Sequence, residues 1–165
     1  MSLAIDWVWT KRGEDPLIYL NDVYRYSMAR LGQREDAEDI AIEIVQSLPN
    51  PCRRRELRTY MLGMARRKVA DRLRKHKPVD EIRESDLHVR FDHQADVAAF
   101  VTEVMHHLTA EHREVLVLKY VVGLTSTEIG KVLQKNSEAV DSQLQRAREA
   151  FERQWGQLSG DEVNL

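Results

Sequence analysis

Between residues 49 and 77 stand eleven basic side chains, Arg53, Arg54, Arg55, Arg58, Arg66, Arg67, Lys68, Arg72, Arg74, Lys75 and Lys77, against two acidic ones, Glu56 and Asp71. Like charges packed this densely repel, and a polyanion relieves the repulsion, so the chemistry on offer is phosphate binding. Tyr60 lies inside the run. An aromatic ring among arginines can stack an unpaired base, or it can belong to the apolar face of its own helix, and both readings stay open. For the run as a whole the plain alternative is a solvated helix face. Acidic segments flank it, with a net charge of -5 over 14–48 and again over 78–107, so the formal total of -2 hides a basic stripe.

Other reactive side chains offer less. His106, His107 and His112 lack Cys or acidic partners at ligand spacing, so no metal site is expected. Cys52 is the one cysteine, cannot form an intramolecular disulfide, and reads as an ordinary thiol in a reducing compartment. No P-loop, dinucleotide fingerprint or catalytic carboxylate pair is present, which argues against an enzyme, a cofactor or a small-molecule substrate. Trp7 and Trp9 read as packing anchors.

Helices must carry these groups. Asp15-Pro16 reads as an N-cap and first helical residue; Leu17, Leu20, Tyr24, Met28 and Leu31 follow at spacings of three and four, and Gly32 marks the stop. A second helix runs from about Arg34 to Leu48, with Ile40, Ile44 and Leu48 inward beside Ala37 and Ala41, and Asp36, Glu38, Asp39 and Glu43 outward. A third, about Arg54 to His76, places Leu57, Met61, Met64, Ala65, Val69 and Leu73 on one face and the positive charge on the others. Residues 77–95 show no period and read as a linker. Val97, Val101, Val104 and Met105 begin another helix, and 110–122 is apolar nearly all round, as a buried central helix would be. Thr125-Ser126-Thr127-Glu128 is a capping box opening a short helix with Ile129, Val132 and Leu133 inward. Gln134-Lys135-Asn136 turns the chain into a last helix with Val140, Leu144, Ala147 and Phe151 on its stripe. That pattern fits a helix-turn-helix or a plain helical hairpin.

With few Gly and Pro, and no apolar run near the roughly 20 residues of a membrane helix, the expected protein is soluble, cytoplasmic and all-α. It divides into two small helical domains, 1–77 and 96–165, joined by a flexible linker at 78–95. No signal peptide and no membrane partner are expected.

Three groups of residues resemble the extracytoplasmic-function (ECF) sigma factors of bacterial RNA polymerase. Asp36-Ala37-Glu38-Asp39-Ile40 is similar to the acidic motif of the family's second region. Leu57-Arg58-Thr59-Tyr60-Met61 through Ala65-Arg66, with Asp71-Arg72-Leu73-Arg74, is similar to the run that follows it. Arg113-Glu114-Val115-Leu116, Gly123-Leu124-Thr125, Glu128-Ile129 and the stretch from Val140 to Arg148 resemble the fourth region.

The resemblance implies a sigma factor that directs core polymerase to promoters and aids their melting. Asp36, Glu38, Asp39 and Glu43 would dock on the polymerase. Arg53, Arg54, Arg55, Arg58, Tyr60, Arg66, Arg67, Arg74 and Lys75 would hold the melted −10 element. Asn136, Ser137, Glu138, Ser142, Gln143, Gln145 and Arg146 would meet the −35 element. Core RNA polymerase, promoter DNA and an anti-sigma factor are the implied partners. The two DNA elements lie about 50 Å apart, which an extended linker of 19 residues, reaching roughly 60 Å, can span.

The chain also departs from the family, with Ile42, Val45, Arg67 and Gln134 replacing the usual Gln, Phe, Asn and Gly, and with Asp141 and Gln143 where Lys and Arg are common. The last two favour an alternative, a sigma-like regulatory protein that binds polymerase or an anti-sigma factor and DNA only weakly. On a helical wheel both fall at the borders of the outward face, where a docked helix meets phosphates.

Overall fold

The computed structural model describes residues 13–50, 52–75 and 93–161. Trp7, Trp9 and most of the expected linker lie outside them. Helices make up the fold, and no strand occurs among the described residues.

Asp15 accepts a hydrogen bond from the Leu17 amide at 2.9 Å and Pro16 follows it, so the chain enters through a 3-10 turn, Pro16–Tyr19. Helix α1 (Leu20–Leu31) then runs to Gly32, whose left-handed φ of 70° lets its amide close on the Met28 carbonyl. The expected inner stripe is displaced here. Leu17 is exposed, Leu20, Tyr24, Met28 and Leu31 are half-buried, and the buried positions are Val23, Tyr26 and Ser27. The reason is that α1 is clasped by several elements at once, so its buried line falls between their contacts.

Helix α2 (Arg34–Ser47) buries Ala37, Ile40, Ala41 and Ile44 as its spacing predicts. Helix α3 (Leu57–Lys75) buries Leu57, Met61, Leu62, Ala65 and Val69, while Leu73 near its end is exposed. A single antiparallel bridge, Glu14 to Cys52, ties the entry of α1 to the segment before α3. Gly13 makes it possible: a Cβ there would stand 2.5 Å from the Cys52 carbonyl oxygen.

The second half opens with α4 (His93–His106), which starts inside the stretch read as linker. Helix α5 (Ala110–Leu116) is capped by Thr109 and continues into a π turn, Val117–Val121, where the Val122 amide reaches back five residues to the Val117 carbonyl. The segment expected as a buried central helix, 110–122, is thus helical with its last turn widened. The widened turn leaves Tyr120 exposed, its hydroxyl receiving Arg148 Nε at 2.7 Å, although its neighbours Val117 and Leu118 are buried. Helices α6 (Ser126–Leu133) and α7 (Ser137–Asp161) complete the chain.

The halves are packed together. Helix α1 lies on α2, α3 and the π turn; α3 lies also on α6; α7 covers α5, α6 and α4. Buried side chains from Val23 to Ala150 form one continuous apolar cluster.

Candidate polymerase and nucleic-acid interfaces

Acidic α2 and basic α3 lie side by side, and part of their charge is spent between them. Arg72 pairs with Asp36 and reaches Glu43 at 3.7 Å, and Lys68 Nζ meets Glu43 at 2.7 Å. The Lys68 hydrogen bond holds the Glu43 carboxyl below the usual carboxylate range. Asp36 and Glu43 thus pair with α3, because the neighbouring helix offers cations at matching height, although Glu43 stays half exposed. Glu38 binds Arg34 along its own helix at 2.6 Å, and Asp39 is exposed. The outward acidic face is narrower than its sequence suggests.

Arg53, Arg54 and Arg55 are exposed on the segment before α3, and the Arg54 guanidinium stands 3.5 Å above the Tyr60 ring. Tyr60 is half-buried: it packs on the apolar cluster and also lines a cleft of about 510 Å³ between α3 and α6. Arg54, Arg55, Arg66, Arg67 and Lys131 surround that cleft. Arg67 and Lys75 are exposed, and Arg74 pairs with Asp71 of its own helix. Arg58, expected at the −10 element, is held by partners within the chain. Its Nε donates to Asp22 at 2.7 Å, its Nη2 to the Val122 carbonyl at 3.2 Å, and its Nη1 lies 3.4 Å from Glu128. It sits at the first turn of α3, the edge that meets the other half. Arg66 likewise donates to Glu114 at 2.9 Å.

The helix-turn-helix is built as its capping pattern requires. Thr125 Oγ1 accepts the Glu128 amide at 3.2 Å and Glu128 Oε2 accepts the Thr125 amide at 2.8 Å. That backbone bond is the main cause of a Glu128 pKa below the usual range. In the turn, Gln134 takes a left-handed φ of 57° and the Lys135 amide closes on the Gly130 carbonyl at 2.8 Å. Gly130 is needed for this approach, since a Cβ there would stand 2.5 Å from the Lys135 carbonyl oxygen. Asn136 Oδ1 caps α7 by accepting the Ala139 amide at 2.8 Å.

Val140, Leu144 and Ala147 are buried, and Ser137, Glu138, Ser142, Gln145 and Arg146 are exposed on α7. Gln143 is the exception. It is 8% exposed, its Nε2 donating to the Glu111 carbonyl at 3.2 Å and its Oε1 accepting Lys135 Nζ at 2.8 Å. The packing of α5 against α7 turns this border position inward. Asp141, the other border residue, is exposed and accepts from the Ser126 hydroxyl.

Several ties that shape these surfaces had no signature in the sequence. Tyr26 is fully buried, and its hydroxyl donates to Glu114 Oε1 at 2.8 Å across 88 residues of chain. Burial pushes its pKa far up, so it stays a donor. Lys131 of α6 pairs with Glu56, just before α3. Among the described residues there is no cluster of acidic, His or Cys side chains fit for a metal. No described helix is long and apolar enough to cross a membrane.

Comparison with known proteins places these elements. Residues 101–151, from α4 to α7, match the family described as Sigma-70, region 4. The ECF RNA polymerase sigma factor SigM of Bacillus subtilis (strain 168) is 24% identical over 159 residues, covering 88% of this chain and 95% of that protein. In fold, the chain resembles the sigma factor RpoE of Bartonella quintana, solved with the anti-sigma factor NepR. The TM-score is 0.57 at 13% identity, covering 84% of this chain and 92% of the other.

Proposed function

We propose that this homologue of the ECF sigma factors, carrying a sigma-70 region 4 domain at residues 101–151, directs core RNA polymerase to specific promoters and aids their melting. It acts as a regulatory subunit and does no covalent chemistry. The observation that carries the reading is the α6–turn–α7 unit. A capping box fixes α6, Asn136 fixes the start of α7, and the exposed face of α7 offers Ser137, Glu138, Ser142, Gln145 and Arg146 opposite a buried stripe. A helix held this way can enter a major groove, with its ends near phosphates.

On this reading residues 96–165 take the −35 element, and the 1–77 half takes the polymerase and the −10 element. Glu38 and Asp39 are the outward acids for docking. Arg53, Arg54, Arg55 and Arg67, with Tyr60 in the cleft, hold a melted strand, the cations meeting phosphates and the ring stacking a base. An anti-sigma factor is a further partner. The second reading, an interaction protein that binds polymerase or an anti-sigma factor and reads DNA poorly, draws on exposed Asp141, which would repel a phosphate beside the recognition helix.

Copurification tests the first step of the sigma-factor reading. Tagged chain recovered from cells should bring core polymerase with it, and recovery without polymerase subunits would contradict it, leaving only an interaction protein that binds an anti-sigma factor.

A further inference from the structure

We propose that the apolar cleft between the end of α1 and helices α4, α5 and α7 binds a single-chain fatty carboxylate, its head held by Arg30 and Arg113 and its tail laid along the cleft. The site lies apart from the residues assigned to DNA, and it exists whether or not the chain directs polymerase to promoters.

The cleft has a volume of about 820 Å³ and takes its walls from the last turn of α1, from α4, from α5 with its π turn, and from α7. Small-molecule sites have volumes of roughly 300–1,000 Å³. Met28, Leu31, Val101, Met105, Val121 and Phe151 make the lining apolar. Each of them is half-buried, so the fold leaves part of every one uncovered. An apolar occupant takes that surface out of water. The two methionines are unbranched and pliable, and adapt to a chain that has no fixed shape of its own.

Charge at the cleft tells what else the occupant carries. Arg30, Arg113 and Arg148 line it against one acid, the exposed Glu152. Arg148 is engaged with the Tyr120 hydroxyl. Arg113 donates to the Met105, His106 and Leu108 carbonyls at 2.9, 3.0 and 3.2 Å, neutral acceptors that leave its charge uncompensated. Arg30 reaches the Ala110 carbonyl at 3.5 Å, and its buried Nε has no hydrogen-bond partner among the described residues. Glu114, which shares a neighbouring cleft with Arg30, is already taken by Tyr26 and Arg66. The two guanidiniums also feel each other: burial first, and then the Arg30 charge, holds Arg113 below the usual arginine pKa.

A buried donor without an acceptor has lost water for nothing in return, and a carboxylate turned toward it supplies a charge-assisted bond. The same anion relieves the repulsion between Arg30 and Arg113. A small anion without a tail leaves the apolar walls wet, and an apolar molecule without charge leaves the arginines as they are. A fatty carboxylate satisfies both.

The test titrates the full chain calorimetrically with dodecanoate, dodecanol and dodecyltrimethylammonium, each kept below its micelle concentration. Dodecanoate should saturate a single site, about tenfold tighter than the alcohol of the same tail, the ratio that one charge-assisted hydrogen bond supplies. The ammonium should not bind. Equal affinity for acid and alcohol would overturn the arginine head site. Absence of saturable dodecanoate binding would overturn the proposal outright and leave the cleft to a protein segment.

That comparison needs no variant; two substitutions then locate the site. Arg113 holds three carbonyls and is left in place. Arg30→Gln should weaken dodecanoate about tenfold and leave dodecanol unchanged. Ala29 is exposed and lines the cleft, so Ala29→Trp fills the space from its rim and should abolish binding of both. Dodecanoate should raise the thermal midpoint of the wild-type chain, since a ligand of the folded state stabilises it, and should leave that of the Ala29→Trp variant where it was. Undiminished binding by a helical Ala29→Trp variant would place the amphiphile elsewhere and overturn the assignment.

Discussion

Arg66 of α3 and Tyr26 of α1 meet on one oxygen of Glu114, at 2.9 and 2.8 Å. A basic side chain expected to face DNA and a wholly buried tyrosine are thereby fixed to the same carboxylate of the other half. Removing that carboxylate should be costly. Glu114→Ala leaves the Tyr26 hydroxyl buried without a partner, at about 1–3 kcal/mol, and thermal denaturation should show the loss. Tyr26→Phe together with Glu114→Ala should recover part of it.

The exposed cations of the proposed −10 surface carry the next expectation. Replacing Arg67, Arg74 and Lys75 with Ala should weaken open-complex formation and lower the salt slope of single-strand binding by about 2, at about 0.7 per phosphate contact. Assembly with core polymerase should persist. Promoter melting at the wild-type level, measured by permanganate reactivity of the opened strand, would make the stripe a solvated face.

Docking should depend on Glu38 and Asp39 more than on Asp36 and Glu43. The latter pair is held against Arg72 and Lys68. Reversing Glu38 and Asp39 to Lys should weaken the complex with core polymerase by about tenfold or more, because charge complementarity at the contact becomes repulsion. Comigration of the double variant with core polymerase in gel filtration, undiminished, would remove the assignment.

The proposed recognition helix, α7, separates its two border residues. Asp141→Lys should tighten binding to any duplex and steepen the salt slope by about 1. Gln143→Arg should give no such gain and should destabilise the fold instead. Its buried amide serves the Glu111 carbonyl and Lys135, and losing those partners costs about 1–3 kcal/mol. Isotherms across salt together with melting curves distinguish the two positions.

Acid should loosen the structure in a defined direction. Glu43 and Glu128 both have folded pKa values below their unfolded ones. The stability they contribute is fully present above about pH 4.3, the ordinary Glu value, and is lost as pH falls through the depressed folded values. Denaturant titrations should therefore show a falling midpoint below about pH 4.3. The fall should shrink in the Glu128→Gln variant, which has no carboxyl there to protonate.

What the sequence disclosed was local. Asp15, Gly32, Thr125 with Glu128, and Asn136 act on backbone groups within a few residues, so type and spacing alone announce them. The buried stripes of α2 and α3 were legible for the same reason. The partners of Arg58 and Gln143 were not legible because they come from elements far along the chain, Asp22 and Glu128 for one and Glu111 for the other. The π turn at Val117–Val121 was hidden as well, since an apolar run reads alike whether its turns hold four residues or five. Family resemblance supplied the roles of surfaces, which periodicity cannot, but not which charges the fold spends on itself.

Run-off transcription tests the central claim most directly. Core polymerase should yield discrete transcripts from genomic DNA fragments only when this chain is added, and the Arg67, Arg74 and Lys75 triple variant should lose them while still binding core enzyme. Transcripts that are the same with and without the chain, from a core enzyme that demonstrably binds it, would contradict promoter recognition and leave an interaction protein in its place.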